Sequence, residues 1–311
     1  MWTVLSSSNF QWVLMSTLML GIAAGVMGCL AYWKRQSLMS DALAHAALPG
    51  VIIAFVLLGE KHPLILIIGA SISAYLGALF IQWIQTSTRI KEDTAMGMIL
   101  SVFFGLGIML LTVVNRSPSG NQSGLDRFIL GQAASMVKSD VFIMLLLSLF
   151  IIFFVFIAFK EWKIFLFDPG FAKGLGLSLR GMEGLYTALL VLTIVVGIQA
   201  VGVVLMAALI IIPATSARYW THSFKVMVGL SALFGGGSGA LGTFVSALGS
   251  GWPTGPFIVI VAAFIFTISL VFGKEKGVLI QWLQQKMLKM QYQKERMSRT
   301  CMSRPLKEVS R

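Results

Sequence analysis

Asp41 and His45 are ionisable residues that lie within an apolar stretch of the sequence and not in a polar loop. They lie in the segment 40–50 (SDALAHAALPG), which has apolar residues on both sides. On a helix, residues four apart share a face, so the carboxylate and the imidazole would point the same way. A carboxylate oxygen and an imidazole nitrogen are both ligands of first-row divalent cations. The spacing therefore predicts a metal-binding pair at Asp41 and His45.

Two simpler roles remain open for these residues. Ser40 or Asp41 could cap the N-terminus of a helix, and His45 could be a buried histidine that is hydrogen-bonded to a neighbouring carbonyl group. Against this, a charge near the centre of a bilayer costs about 2.5–3.5 kcal/mol, so such groups normally face a polar pathway. The other histidines, His62 and His222, fall in loops between apolar runs.

The composition defines the elements that must position this pair. The 311 residues are 57% hydrophobic and 12% charged, with a mean hydropathy of +0.86. Soluble domains carry about 25% charged residues, so the chain lacks the charge needed for a solvated surface. A bilayer instead requires apolar runs of about 20 residues. The composition predicts an all-α polytopic membrane helix bundle.

The apolar runs predict about nine transmembrane helices. The predicted spans are 12–33, 44–59, 63–85, 94–114, 138–160, 184–200, 201–219, 226–249 and 254–273. No polar loop separates the sixth from the seventh, so eight spans are the alternative. These boundaries place Asp41 close to the inner end of the first span, although a pathway site is expected deeper. Either the first span ends before Trp33, or residues 36–45 dip back into the bundle.

The distribution of basic residues favours nine spans with the N-terminus outside and the C-terminus in the cytoplasm. In that arrangement four Lys and Arg residues lie in outer loops, ten lie in inner loops, and ten more lie in the tail from Lys274 to Arg311. Cytoplasmic loops carry the excess of positive charge. The chain is thus predicted to have a transmembrane domain at 1–273 and a basic cytoplasmic tail at 274–311.

The basic tail bears on the net charge of +12. Such a charge could indicate nucleic-acid binding, but much of it is concentrated in this one segment. The tail begins with an amphipathic stretch at 278–288, next to the last span. A segment of this kind rests most simply on anionic lipid headgroups. The charge therefore predicts membrane lipids, and no nucleic acid, as the partner of the tail.

Two further patterns concern loops and packing. In the inner loop, Asp168 and Pro169 are typical of a helix start, and Gly174 and Gly176 would end that helix after little more than one turn. In the spans, Gly21 with Gly25 and Gly235 with Gly239 form GxxxG pairs, which let helix backbones approach closely. The run 235–239 (GGGSG) is dense enough to indicate local flexibility as well.

Four segments together resemble the membrane permease subunit of bacterial manganese, zinc and iron ABC importers, and the likeness extends over nearly the whole chain. They are 40–50 (SDALAHAALPG), 91–97 (KEDTAMG), 168–176 (DPGFAKGLG) and 201–218 (VGVVLMAALIIIPATSAR). The resemblance implies an ABC importer permease fold that dimerises with itself or with a related permease. It also implies two cytoplasmic ATPase subunits and an extracytoplasmic metal-binding protein as partners.

The resemblance also implies roles for particular residues. Asp41 and His45 would coordinate the transported ion, with no cofactor bound permanently. The loop 168–177 would be the coupling helix that contacts the ATPase, through Asp168, Pro169, Phe171, Ala172, Gly174 and Gly176. The outer loop 115–137 is where a delivery protein would dock.

The function predicted from these features is ATP-driven import of a divalent transition metal ion. The chain has no G-x-x-x-x-G-K-[ST] segment, so a separate subunit would hydrolyse ATP and the permease would not be an enzyme. A carboxylate–imidazole site suits Mn²⁺ and also accepts Zn²⁺ or Fe²⁺. Manganese is the favoured cargo, with zinc or iron as alternatives. A stand-alone secondary carrier and a non-transporting membrane anchor are the remaining rivals.

Overall fold

The computed structural model describes residues 8–58, 63–116, 136, 138–249 and 252–282, together with positions 286, 287, 289 and 292. Within this part of the chain the regular elements are all helices. They are α1 (Ser8–Trp33), α2 (Met39–Leu58), α3 (Pro63–Ser87), α4 (Glu92–Asn115), α5 (Lys138–Ile157), α6 (Phe159–Phe167), α7 (Pro169–Gly174), α8 (Leu179–Val201), α9 (Val203–Arg218), α10 (Phe224–Ser246) and α11 (Thr254–Phe272).

The helices confirm the membrane bundle predicted from composition. Eight of them in the described part are long and apolar enough to cross a membrane, and α9 is a shorter apolar helix. Its 16 residues extend about 24 Å at 1.5 Å per residue, somewhat less than the ~30 Å of a hydrocarbon core. The outer loop and most of the tail predicted from the sequence lie outside the described residues.

The sixth and seventh predicted spans are separate helices that run in opposite directions. Gly202 joins them with a φ of 95°, a conformation that favours glycine. At its start, α8 contacts the end of α1 through Glu183 and Lys34. The end of α9 returns to the same place, where Arg218 lies 5.1 Å from the ring of Trp33. The chain therefore reverses at Gly202, as the nine-span interpretation requires.

Helices α1, α2 and α8 are the most buried of the long helices. Helices α1 and α10 cross closely: a Cβ added at Gly21 would overlap the carbonyl group of Gly235, and one added at Gly25 would overlap that of Ser231. The Ser231 hydroxyl donates a hydrogen bond of 2.6 Å to the Gly25 carbonyl. These contacts confirm that the glycines predicted as packing residues bring the two backbones together.

In contrast, α4, α5 and α11 bury little of their surface within the chain. Apolar side chains of α4, among them Val102, Met109 and Val113, are more than half exposed. A membrane helix with such a surface can contact lipid or another membrane subunit. Helix α4 packs against α2 and α3, so it lies beside the helix that carries Asp41.

Candidate functional site

Asp41 and His45 both belong to α2, and they lie on one face of it as predicted. The helix begins at Met39, five residues before the predicted second span. The first span does end at Trp33, and a short turn leads into α2. An early end of the first span, one of the two explanations offered from the sequence, is therefore wrong, whereas residues 39–45 do turn back into the bundle as the first turns of α2. The pair lies in the first two turns of the second membrane helix.

The geometry disfavours the capping role. Ser40 lies inside the helix, and its hydroxyl donates a hydrogen bond of 2.9 Å to the carbonyl of Ser37. A capping side chain would instead accept from a backbone N–H group of the first turn. The carboxylate of Asp41 is paired with the imidazole of His45, with 3.6 Å between Oδ1 and Nε2. These two residues therefore interact mainly with each other.

The separation of the pair fits two ligands of one ion. At 3.6 Å the two atoms are farther apart than in a normal hydrogen bond. Two ligands at about 2.1 Å from a tetrahedral ion would lie about 3.4 Å apart. In addition, Nδ1 of His45 is buried and has no hydrogen-bond partner among the described residues. The imidazole is thus not satisfied by a neighbouring carbonyl group, which was the simpler role considered for it.

The pair is only partly buried within the chain. The side chain of His45 is 15% exposed and that of Asp41 is 39% exposed. Phe104 of α4 packs edge-on against the imidazole, with 4.8 Å between ring centres. No group of three or more Asp, Glu, His or Cys side chains that could hold a metal occurs in the described residues. Further ligands could be other polar groups, water, residues outside the described part of the chain, or residues of another subunit.

The segment 168–176 forms the short capped helix that the sequence predicts. The carboxylate of Asp168 accepts a hydrogen bond of 2.9 Å from the backbone N–H of Phe171, and Pro169 occupies the first turn. The helix ends at Gly174, and Gly176 has a φ of 80°. The N–H groups of Gly176 and Leu177 donate to the carbonyls of Lys173 and Ala172, the hydrogen-bond pattern of a Schellman motif.

Helix α7 and the residue after it expose apolar side chains. Phe171 and Leu175 are each 56% exposed, whereas Ala172 is fully buried. Phe167, the last residue of α6, packs against Trp33 at the end of α1, with 4.7 Å between ring centres. The exposed Phe171 therefore lies on a short helix that begins shortly after Phe167, which packs against the bundle.

A cluster at this end of the bundle joins α8 to the segment before Asp41, and sequence reasoning missed it. Lys34 forms an ion pair with Glu183, and its ammonium lies 4.2 Å from the ring centre of Tyr186. Burial lowers the pKa of Lys34, and the hydrogen bond that Lys34 donates to Glu183 opposes that shift. Glu183 is 149 residues away in sequence, and no local pattern links the two.

The chain is similar in sequence to a family of transport proteins. Residues 6–273 match the model of the ABC 3 transport family. The manganese transport system membrane protein MntC of Bacillus subtilis is 43% identical over 89% of the chain, and the chain spans 64% of that protein. The zinc transport system membrane protein TroC of Treponema pallidum is 44% identical, over 89% of the chain and 93% of that protein.

A solved structure has the same fold. The structure of PsaBC from Streptococcus pneumoniae in complex with Fab contains a chain that is similar to this one at 32% identity, with a TM-score of 0.78. The match covers 91% of this chain and 97% of the other. The fold predicted from the four sequence segments is confirmed.

Proposed function

Because this chain belongs to the ABC 3 transport family, whose members are membrane permease subunits of ABC importers, we propose that it imports a divalent transition metal ion and that manganese is its main cargo. The permease itself is not an enzyme, since ATP is hydrolysed by a separate subunit in this family. Manganese is supported by the relative named as a manganese transport protein, and zinc, named for the second relative, is the alternative.

The observation that carries the proposal is the Asp41–His45 pair at 3.6 Å on one face of a membrane helix. A carboxylate that is 39% exposed in the isolated chain would be costly in contact with lipid. A water-filled pathway would remove that cost. The pair would hold the ion briefly on that pathway, since two protein ligands bind less tightly than the complete set of a structural site.

A second permease subunit would complete the pathway. Helix α4 borders the pair and leaves its outer apolar face uncovered within the chain. Packing of a second copy or of a related permease against this face would enclose Asp41 and could supply further ligands. A heterodimer and a homodimer fit this surface equally well.

Transport would proceed by alternating access. An extracytoplasmic metal-binding protein would deliver the ion to the outer side, where the N-terminus is proposed to lie. ATP-driven closure of two cytoplasmic ATPase subunits would push on α7, and the movement would reach α1 and α2 through Phe167, Trp33 and Lys34. Packed elements of this kind shift between discrete arrangements, which would open the pair to the cytoplasm.

The cargo can be tested by competition for uptake. In cells that express the complete transport complex, we expect about tenfold excess of unlabelled Mn²⁺ to suppress uptake of radioactive Mn²⁺ more strongly than the same excess of Zn²⁺ or Fe²⁺. Intrinsic affinities favour Zn²⁺ over Mn²⁺, so a preference for manganese would have to come from this transport system. Stronger suppression by Zn²⁺, with matching uptake of radioactive Zn²⁺, would make zinc the main cargo.

The coupling role of α7 can be tested through its cap. Replacing Asp168 with alanine removes the acceptor for the Phe171 N–H group, at a cost of about 1 kcal/mol. This lowers the ratio of folded to unfolded helix about fivefold, so we expect less ATPase subunit to co-purify. Asparagine keeps the cap acceptor and is the matched control. Equal co-purification with both variants would contradict the role of the capped helix.

The stand-alone carrier considered from the sequence is not supported by membership of an ABC transport family. Uptake measured in cells that lack the ATPase subunit separates it from the importer. A carrier would retain uptake when the ATPase subunit is absent, whereas an importer would lose it.

A further inference from the structure

A cavity of about 630 Å³ lies at the end of the bundle that carries α7, and the metal pathway does not use it. It is bounded by the end of α5, the start of α6 and the start of α10. Its lining residues are Phe156, Ile157, Phe159, Lys160, Glu161, Lys163, Ser223, Phe224 and Lys225. Phe159 and Phe224 stack with 5.2 Å between ring centres and hold α6 and α10 together beside it.

The charges in this cavity favour an anion. Lys160, Lys163 and Lys225 line it, and none of the three has an ion-pair partner within the part of the chain that the structure describes. With the one carboxylate of Glu161, the lining carries a net charge of +2 at neutral pH. Ser223 begins α10 without a capping hydrogen bond from its side chain, so an anion here could also accept from first-turn N–H groups.

The position of the cavity indicates that the anion belongs to a lipid. Phe156 and Ile157 form its edge on α5, and they are 78% and 64% exposed. On a helix long and apolar enough to cross a membrane, such residues contact acyl chains. A ligand that fills the cavity and also lies along these side chains must have a charged headgroup attached to an apolar tail. Basic cavities between membrane helices on the cytoplasmic side bind the headgroups of anionic lipids.

Glu161 narrows the choice of headgroup. Its Oε2 atom is buried and has no hydrogen-bond partner among the described residues, so it needs a donor. The hydroxyl groups of a glycerol headgroup supply donors without adding positive charge. An ethanolamine headgroup also supplies a donor, but its ammonium cancels the charge of its own phosphate and leaves the lysines uncompensated. We propose that this cavity binds one anionic phospholipid with a hydroxylated headgroup, of the phosphatidylglycerol type.

The bound lipid would stabilise the connection between α5 and the coupling segment. Lys160 and Lys163 lie on α6, which leads through Asp168 directly into α7. Lys225 lies on α10, which packs closely against α1. A phosphate held by all three lysines would tie the segment before α7 to the core of the bundle. The proposal does not depend on the identity of the transported ion or on the role of Asp41 and His45.

The experiment compares lipid binding to the full-length permease with binding to two triple variants. The test variant is Lys160→Gln, Lys163→Gln and Lys225→Gln. The control variant, Lys91→Gln, Lys274→Gln and Lys276→Gln, removes the same charge from residues that do not line the cavity. Binding is measured by native mass spectrometry in detergent and by the rise in melting temperature on adding lipid. The probes are phosphatidylglycerol, phosphatidylethanolamine, phosphatidylcholine and inorganic phosphate.

We expect phosphatidylglycerol to bind the natural chain and the control variant with one strongly retained lipid. The test variant should bind it about tenfold or more weakly, because three lysines next to the headgroup are lost. Phosphatidylcholine, phosphatidylethanolamine and inorganic phosphate should give little stabilisation. Equal binding of phosphatidylglycerol to both triple variants would overturn the proposal. Equal stabilisation by inorganic phosphate would indicate a site for a soluble anion, and equal retention of phosphatidylethanolamine would overturn the assignment to an anionic lipid.

Discussion

Replacing either Asp41 or His45 with alanine should abolish metal uptake while leaving the complex assembled. Each substitution removes one of the two proposed ligands, which lie 3.6 Å apart. Loss of a group that only orients a metal ligand already costs about 10–100-fold, so loss of a ligand itself should reduce uptake by about 100-fold. Uptake of radioactive Mn²⁺ into cells is the measurement, with the amount of permease in the membrane determined by immunoblotting.

Two matched controls accompany these variants. Asp140 lies, like Asp41, in the first turn of a long apolar helix, and His222 lies in the loop before α10, paired with Glu275 at 3.2 Å. Asp140→Ala and His222→Ala should transport normally. Both site variants should still co-purify the ATPase subunit. Normal uptake by Asp41→Ala and His45→Ala at unchanged protein levels would show that the pair is a packing feature of α2.

A second large effect is expected where α1 crosses α10. Replacing Gly235 with alanine would place a methyl group against the carbonyl group of Gly21. That carbonyl group belongs to the backbone of α1 and cannot rotate away. Overpacking of this kind costs about 1–3 kcal/mol, which corresponds to a fall in melting temperature of about 5 °C. Thermal unfolding of the purified permease in detergent, followed by size-exclusion chromatography, gives the measurement.

The same helix offers a control two residues away. A Cβ at Gly237 would meet no atom within 4 Å, so Gly237→Ala makes the same chemical change without a clash. Alanine is favoured over glycine inside a helix by about 1 kcal/mol, and this variant should be as stable as the natural chain or more stable. Equal destabilisation by both changes would mean that the glycine-rich run is needed for backbone flexibility and that the close crossing does not limit stability.

Features governed by neighbouring residues were predictable from the sequence. Asp168 and Pro169 indicated a helix start, and the cap and first-turn proline are present as expected. Gly176 ends that helix with a positive φ, which few other residue types adopt. The four-residue spacing of Asp41 and His45 fixed their common face. Each of these features depends on atoms within one or two helical turns.

The start of α2 was not predictable in the same way. Hydropathy placed it after Asp41, because Ser40 and Asp41 interrupt the apolar run. In the folded chain Ser40 is fully buried and donates its hydroxyl to Ser37 within the preceding turn. That local bond makes it possible to continue the helix back to Met39. A hydropathy window scores Ser40 as polar but takes no account of the carbonyl group that accepts its hydrogen bond.

The contacts of the glycine-rich run in α10 were also not predictable from the sequence. The sequence presents Gly235, Gly236 and Gly237 as equivalent neighbours, yet only the first two face α1 closely. Which face of α10 meets α1 depends on the rotation of one helix against another. That rotation is set by the whole interface, including the hydrogen bond of 2.8 Å between Thr17 and Thr243. No window of sequence contains both sides of it.

The Lys34–Glu183 pair has a consequence for how the chain is made. Synthesis proceeds from the N-terminus, so Lys34 leaves the ribosome 149 residues before its partner. During that interval it is an unpaired charge at the membrane surface, available to fix the direction in which α1 and α2 insert. When α8 arrives, Glu183 neutralises the same ammonium and the cluster around Tyr186 closes over it. We therefore expect one lysine to act first in membrane insertion and later in the folded interior.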